Sequence, residues 1–318
     1  MKRVMALLVL VGVGTLSLSL QAARPSPPSL QGGQAPAPMV VEVEKLKDNL
    51  FVLRGTGGGG NTAVFVQANG VTVVDTKTPG WGQPILAKIR ELTSKPVTMI
   101  INTHTHGDHV SGNVAFPASV DIVTHENTKT RMSEWKPYYG RKEPPPNVFK
   151  GSNGQGLPKR TFKDRMSIGS GSDQVDLYYF GRGHTDGDAW VVFPSLRTLH
   201  AGDIFSGKNL PFLDANNGAS GVAIGDTLQK AHDGIKNVDT IISGHSVQMT
   251  RADLAEYAAF NREFLNDVRA AIKAGKTVAD VASTWKMPAK YAGYTAPMPE
   301  RLRDNVQVVY DELKAGSR

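Results

Sequence analysis

The sequence predicts a single α/β domain, and three observations point to it. Short β-patterned runs punctuated by Asn, Gly and Asp alternate with apolar stripes at helical spacing. Clusters of histidine and aspartate come directly after several of those runs. The chain has 318 residues, 40% of them hydrophobic, which suffices to bury a substantial core in one large domain.

The elements follow in order. Lys2 and Arg3, the apolar run Val4 to Leu20 and then Gln21-Ala22-Ala23 read as a secretory signal over residues 1–23, cleaved near Ala22 or Ala23. An uncleaved membrane anchor is the rival reading, but ~17 apolar residues reach only the short end of a spanning helix. Pro25, Pro27, Pro28, Pro36 and Pro38, with Gly32 and Gly33, make residues 24–39 a Pro-rich linker, leaving 40–318 for the domain and its C-terminal helices. Strands are expected at Val40–Leu46, Leu50–Arg54, Ala63–Ala68 and Val71–Asp75, with Asn69-Gly70 as a hairpin turn. Ile85, Ile89 and Leu92 mark a helix ending before Pro96, and Val97–Asn102 is a buried-type strand. A strand at Val120–Thr124 feeds a helix near Glu126–Trp135. Residues 136–160, with Pro144-Pro145-Pro146, Gly151, Gly154 and Gly156, form a long connection of the kind used for lids and binding loops. Strands return at Thr161–Ile168, Val175–Phe180, Trp190–Phe193, Thr198–Ala201 and Thr240–Ser243, the last preceded by a helix bearing Leu228, Ala231 and Ile235. Thr250 and Asp253 form a capping box for a helix that stops at Gly275, and Leu302, Val306, Val309 and Leu313 define a final amphipathic helix.

Composition removes several functional classes. There is no Cys, so disulfides and thiolate metal sites are excluded, and any metal must be held by nitrogen and oxygen. The formal charge of +7 falls by two when Lys2 and Arg3 leave with the signal, and acidic residues are spread throughout, so there is no nucleic-acid footprint. The expected partner is a small molecule, with no stable membrane partner after signal cleavage and a periplasmic or secreted location.

Five of the eight histidines fall into three clusters: His104-Thr105-His106-Gly107-Asp108-His109, Gly183-His184-Thr185 and Gly244-His245-Ser246, with Ala201-Gly202-Asp203 between the last two. Histidines at i and i+2 can approach one ion from a tight loop, whereas ligands at i+4 and i+5 turn toward a second position. Two metals are therefore favoured over one. Imidazole and carboxylate suit zinc best, with iron and manganese as alternatives. Two such cations lower the pKa of a shared water and polarise the bond it attacks, so that bridging hydroxide, and not a side chain, is the expected nucleophile. Asp108 can handle the proton as a catalytic residue.

With its His-x-His-x-Asp-His motif followed in order by His184, Asp203 and His245, the stretch from about Val40 to about Gly244 resembles the metallo-β-lactamase superfamily. The resemblance implies a four-layer αββα sandwich with the metals at one edge between two sheets. It assigns His104, His106 and His184 to a first zinc, Asp108, His109 and His245 to a second, and Asp203 to a bridge. Asp75 matches the family's early aspartate, which supports the metal loop from behind. Family β-lactamases with this histidine motif generally lack the bridging aspartate, and others use a cysteine. Asp203 and the absence of Cys therefore point toward the glyoxalase II, lactonase and general metallohydrolase branches. The expected activity is hydrolysis of an ester, thioester, lactone or amide, with β-lactamase, metal-dependent phosphodiesterase and mononuclear-iron thiol dioxygenase as alternatives.

The remaining features carry less. His125, His200 and His232 are expected to be packing or surface histidines. The Gly57–Gly60 run lacks the Lys-Ser or Lys-Thr of a phosphate cradle and reads as a mobile hairpin over the site. Trp135, Tyr138, Tyr139 and Phe149 suit an aromatic substrate wall or a packed insert equally well. Lys208 and Asn209, just past Asp203, are candidate contacts to a substrate carboxylate or carbonyl.

Overall fold

Two β-sheets lie face to face, and the alternation of residues along each strand decides which side chains meet between them. The computed structural model describes residues 39–316, so the expected signal and all but the last residue of the Pro-rich linker lie outside the described residues. Strands β1 (Glu42–Lys47), β2 (Leu50–Arg54), β3 (Thr62–Val66) and β4 (Val71–Val74) form an antiparallel meander. The Asn69-Gly70 turn closes the β3–β4 hairpin, with Gln67 N–H donating to Gly70 O at 2.9 Å. Helix α1 (Gly82–Leu92) carries the chain back so that β5 (Val97–Ile101) pairs parallel to β4. After α2 (Gly107–Val110), β6 (Asp121–His125), α3 (Glu126–Glu134) and α4 (Val148–Gly151), strand β7 (Arg160–Phe162) completes a seven-stranded sheet ordered as in sequence.

The second sheet is built from β8 (Arg165–Ile168), β9 (Val175–Tyr178), β10 (Trp190–Phe193) and β11 (Thr198–Gly202), all antiparallel. Helix α5 (Ile224–Gly234) then places β12 (Thr240–Ser243) parallel beside β11. The run Thr161–Ile168, expected as one strand, is two: β7 belongs to the first sheet and β8 to the second. The chain changes sheet at Lys163-Asp164, where Asp164 O accepts from Tyr179 N–H at 2.9 Å.

Leu50, Val52, Ala63, Phe65, Val74 and Ile101 of the first sheet pack against Val175, Leu177, Val191, Phe193 and Ile242 of the second. Phe65 and Phe193 meet edge to face across this interface at 5.1 Å. Each such buried side chain contributes roughly 1.5–3 kcal/mol. The alternate residues Leu53, Val64, Val73 and Ile100 point outward and are covered by Ile85, Leu86 and Ile89 of α1. On the far side, Trp190, Val192, Leu199 and Ile241 are covered by α5, α6 (Arg251–Lys273) and α8 (Pro299–Gly316). The result is the four-layer αββα sandwich that the resemblance implies.

Helix α6 starts at the expected Thr250–Asp253 capping box. A second box, Thr277–Asp280, starts α7 (Val278–Thr284), a helix that the apolar periodicity does not reveal because Val281 is its one buried residue. Among the described residues, no helix is long and apolar enough to cross a membrane.

Candidate metal centre

Two parallel strand pairs deliver the clusters to one edge of the sandwich. In the first sheet β4 and β5 run side by side, Val74 opposite Ile101, and are followed by Asp75 and by the His104–His109 loop. In the second, β11 and β12 run side by side, Gly202 opposite Ser243, and are followed by Asp203 and His245. His184 arrives from the β9–β10 connection. The short helix α2 makes the turn tight, with His109 N–H returning to His106 O at 2.9 Å, and so separates His104 and His106 from Asp108 and His109.

The predicted ligands converge on two adjacent groups. Ligand atoms of His104, His106, His184 and Asp203 lie within 4.8 Å of one another, as do those of Asp108, His109 and His245. His106 Nδ1 and His184 Nε2 are 3.0 Å apart, and His109 Nε2 and His245 Nε2 are 3.3 Å apart. Asp203 stands between the groups: Oδ1 is 3.2 Å from His109 Nε2, while Oδ2 is 3.1 Å from His245 Nε2 and 3.8 Å from His184 Nε2.

Partners behind the predicted ligands select which ring nitrogen faces inward. His106 Nε2 is taken by Asp214 Oδ2 at 2.7 Å, leaving Nδ1 for the site. His184 Nδ1 donates to Phe212 O at 2.6 Å, leaving Nε2. His109 Nδ1 lies 2.7 Å from Asp75 Oδ2, again leaving Nε2. Thr103 donates to Asp75 through its backbone N–H at 2.8 Å and its hydroxyl at 2.7 Å, and its Oγ1 lies 3.0 Å from His104 Nδ1. Asp75, fully buried, is thus occupied on both oxygens and is better read as the orienter of two histidines than as a ligand.

Two orphaned atoms test whether the group fits a metal. His104 Nε2 and Asp203 Oδ1 are buried without a hydrogen-bond partner, a costly state for polar atoms that a cation would relieve. The donors are imidazole nitrogens and carboxylate oxygens, a set that suits divalent metal ions.

The electrostatics divide the site into two neutral imidazoles and two that the neighbouring carboxylates favour as cations until a metal ion takes the proton's place. Burial holds the His104 imidazole well below its usual range and pushes His184 down to about 3, so both present neutral rings. Burial opposes charge on His109 as well, but Asp203, Asp108 and Asp75 together raise it well above the ordinary value. Asp203 is the chief cause that raises His245 to about 9. Burial disfavours the Asp108 carboxylate, yet His109 and a hydrogen bond from His245 lower it to about 2.

The sheets are also stitched together here. Asn61, at the start of β3, donates from its side chain to Ser243 O and Ser246 O, both at 2.8 Å, and from its backbone to Gly244 O at 2.7 Å, fixing the loop that carries His245. The Gly57–Gly60 run, expected as a mobile hairpin over the site, is anchored at Gly60. Gly60 N–H donates to Asp108 O at 3.1 Å, its carbonyl accepts from the buried Lys77 Nζ at 2.5 Å, and a Cβ at Gly60 would collide with the His109 ring. Glycine is required there by close approach.

The clusters open into a cavity of about 720 Å³ lined by His106, Asp108, His184, Asp203 and His245 and walled by Tyr138, Pro145, Pro146, Leu210, Phe212, Met298 and Arg301. Residues 136–160 therefore contribute a wall. Tyr138 faces the cavity and accepts Gly107 N–H at 2.7 Å, whereas Trp135 and Phe149 are buried with Val110 and Met132 and Tyr139 packs against the helical layer. Asn209 lines the cavity. Lys208 does not: its ammonium is paired with Asp253 at 2.7 Å and Glu256 at 3.2 Å, so α6 carboxylates have claimed the charge expected for substrate. His125 caps α3 and stacks on Tyr179 at 4.0 Å, His200 is buried with Nε2 3.1 Å from Asn61 O, and His232 sits beside Asp233 at the surface. Asp214, Lys77 and Arg301 escape sequence reasoning. Each is a lone charged residue in an unremarkable context, and only the fold brings it to the site.

Comparisons with known proteins place this edge. The fold and the clusters are those of a metal-dependent hydrolase. The profile described as "Metallo-beta-lactamase superfamily" matches residues 55–245, and the chain belongs to that superfamily. The metallo-beta-lactamase type 2 of Elizabethkingia meningoseptica is 28% identical over 240 residues, covering 68% of this chain and 86% of that protein. Among solved structures, the metallo-beta-lactamase from Pontibacter korlensis has a TM-score of 0.57 at 19% identity, over 70% of this chain and 99% of that one. The stereoselective inverting sec-alkylsulfatase Pisa1 from Pseudomonas sp. has a TM-score of 0.63 at 16% identity, over 86% of this chain and 50% of that one. At these identities the two structures establish the fold.

Proposed function

We propose that this protein is an exported hydrolase that holds two zinc ions and cleaves a carbonyl-centred small molecule: an ester, thioester, lactone or amide. The observation that carries the reading is Asp203, whose carboxylate stands between two imidazole groups at the cavity floor. His104, His106 and His184 would hold one ion through Nε2, Nδ1 and Nε2. Asp108, His109 and His245 would hold the other, and Asp203 would be shared. Zinc at such a site supplies Lewis-acid polarisation of a carbonyl and lowers the pKa of water.

The chain's own groups do the rest. Asp108 is ionised at neutral pH and 29% exposed, so it can accept a hydrogen bond from an attacking water and pass the proton toward the leaving group. Asp75, Thr103, Asp214 and the Phe212 carbonyl fix the ring orientations, so little reorganisation is needed during the reaction. Pro145, Pro146, Leu210 and Phe212 bind an apolar body and keep bulk water out. The signal-like residues 1–23 support export, and the mature chain would then begin near Ala23 or Arg24.

β-Lactam hydrolysis is the second reading, favoured by the relative named metallo-beta-lactamase type 2. Asp203 and the lack of Cys weigh against it. One preparation separates the two: count metals in the purified mature protein by elemental analysis, then assay a chromogenic cephalosporin beside a lactone and a thioester. Two zincs with lactone or thioester turnover support the general hydrolase. Rapid cephalosporin cleavage replaces it with the lactamase, and one iron without hydrolysis overturns both.

A further inference from the structure

Arg301, in the first turn of α8, is a half-buried cation on the cavity wall that no carboxylate claims. Among the described residues its guanidinium makes no ion pair and no hydrogen bond; it lies over the face of Phe212, 4.4 Å from Cζ to ring centroid. Other cations around the site are engaged. Lys77 donates to Gly60 O, Arg54 pairs with Glu44, Arg131 with Asp186 and Lys208 with Asp253. Burial disfavours the Arg301 charge, and the attraction of Asp203, Tyr257 and Asp304, none of them paired with the guanidinium, offsets only part of that cost.

The position of this cation is informative. The Phe212 ring beneath it lies 5.7 Å from the His106 ring and 5.9 Å from the His184 ring, so one phenyl ring adjoins both Arg301 and the first cluster. The carboxylates that line the cavity, Asp108 and Asp203, are both engaged by histidines of the clusters. A planar fork of N–H donors on the wall formed with Pro145, Pro146, Phe212 and Met298 matches a two-oxygen anion. Arg301 also lies beyond residue 245, where the superfamily match ends.

Resting on the hydrolase reading, we infer that Arg301 selects substrates that carry a carboxylate a short, apolar span away from the scissile carbonyl. The carboxylate pairs with the guanidinium while the body of the molecule lies along Phe212, which places the carbonyl over the clusters. Arg301 is thus a specificity-determining residue and takes no part in proton transfer.

The test uses the zinc-loaded mature protein and two chromogenic esters, mono-4-nitrophenyl glutarate, which bears the carboxylate, and 4-nitrophenyl pentanoate, which does not. Wild type should favour the glutarate ester in kcat/KM by roughly tenfold to a hundredfold, the worth of a charge-assisted pair. Arg301→Met should abolish that preference, chiefly through KM, and Arg301→Lys should restore part of it. An unchanged preference in Arg301→Met, or an equal loss on both esters, overturns the inference. Calorimetric titration of glutarate monoanilide and pentananilide keeps the test independent of turnover. Tighter binding of the anionic anilide, lost in Arg301→Met at unchanged metal content, supports the inference even if neither ester is cleaved, in which case ester hydrolysis is the reading that fails. Equal binding of the two anilides by wild type overturns it.

Discussion

Asp214 Oδ2 holds His106 Nε2 at 2.7 Å across 108 residues of chain, and so decides that His106 presents Nδ1 where His184 presents Nε2. Asp214 is itself fixed by Asn217 Nδ2 at 2.7 Å and by Tyr139 N–H at 2.9 Å. Replacing Asp214 with Ala frees the ring to rotate while leaving every proposed ligand in place. Metal affinity should fall about 10–100-fold, as measured by competition with a chelator, at unchanged secondary structure by circular dichroism. Undiminished affinity would show that packing alone orients the ring.

Asp203 is shared by the two groups, so Asp203→Asn should affect both. The expected result is a drop from two bound metals to about one, with a fall in turnover exceeding that of the Asp214 variant. Elemental analysis and kinetics on one preparation measure both. Full activity with a single metal would refute a dinuclear mechanism.

The buried ammonium of Lys77 predicts a pH dependence of stability. Burial, reinforced by Arg54, lowers its pKa from 10.5 to about 8. Between these values the unfolded chain binds the extra proton and the folded chain does not, so stability rises with pH through this window and is lost as pH falls through 8. The span corresponds to at most about 3 kcal/mol. Lys77→Met should remove this rise in denaturant unfolding at pH 7.5 and 10. Parallel behaviour of the two proteins would show that Lys77 does not titrate differently on folding.

At Gly60 a methyl group has nowhere to go, because the loop is tied to Asp108 O on one side and to Lys77 on the other. Gly60→Ala should destabilise the fold by about 1–3 kcal/mol and loosen the metal held near His109 more than the one near His104. Thermal unfolding with and without added zinc reads both effects; a variant with wild-type melting and metal content would contradict the close packing.

The direct site groups were legible because His104, His106, Asp108 and His109 share one short motif and the remaining members each follow a β-patterned run. The four-layer sandwich was expected from the family resemblance, and period-two alternation in β2, β3 and β10 accords with it by separating residues that face the other sheet from those that face helices. Asp214 and Arg301 were illegible for a physical reason: a lone charged residue acquires its role only from what the fold places opposite it. Lys208 shows the converse. Proximity in sequence to Asp203 suggested a substrate contact, but Asp253 and Glu256 of α6 neutralise it first. The crossing at Lys163-Asp164 was missed because apolar content runs on through Phe162, Met166 and Ile168 while the backbone changes sheet.

That crossing is also the only passage of a strand-bearing chain segment from one described sheet to the other, so the molecule resembles two subunits fused end to end. His104, His106, Asp108 and His109 come from one, His184, Asp203 and His245 from the other, and Asn61 reaches across to the His245 loop. A bound cation would then act as a reversible cross-link between halves that already share a buried apolar interface, and chelation should lower the stability of the joint fold. Cutting the chain at Lys163-Asp164 would turn metal uptake into an association reaction, with an affinity that depends on protein concentration.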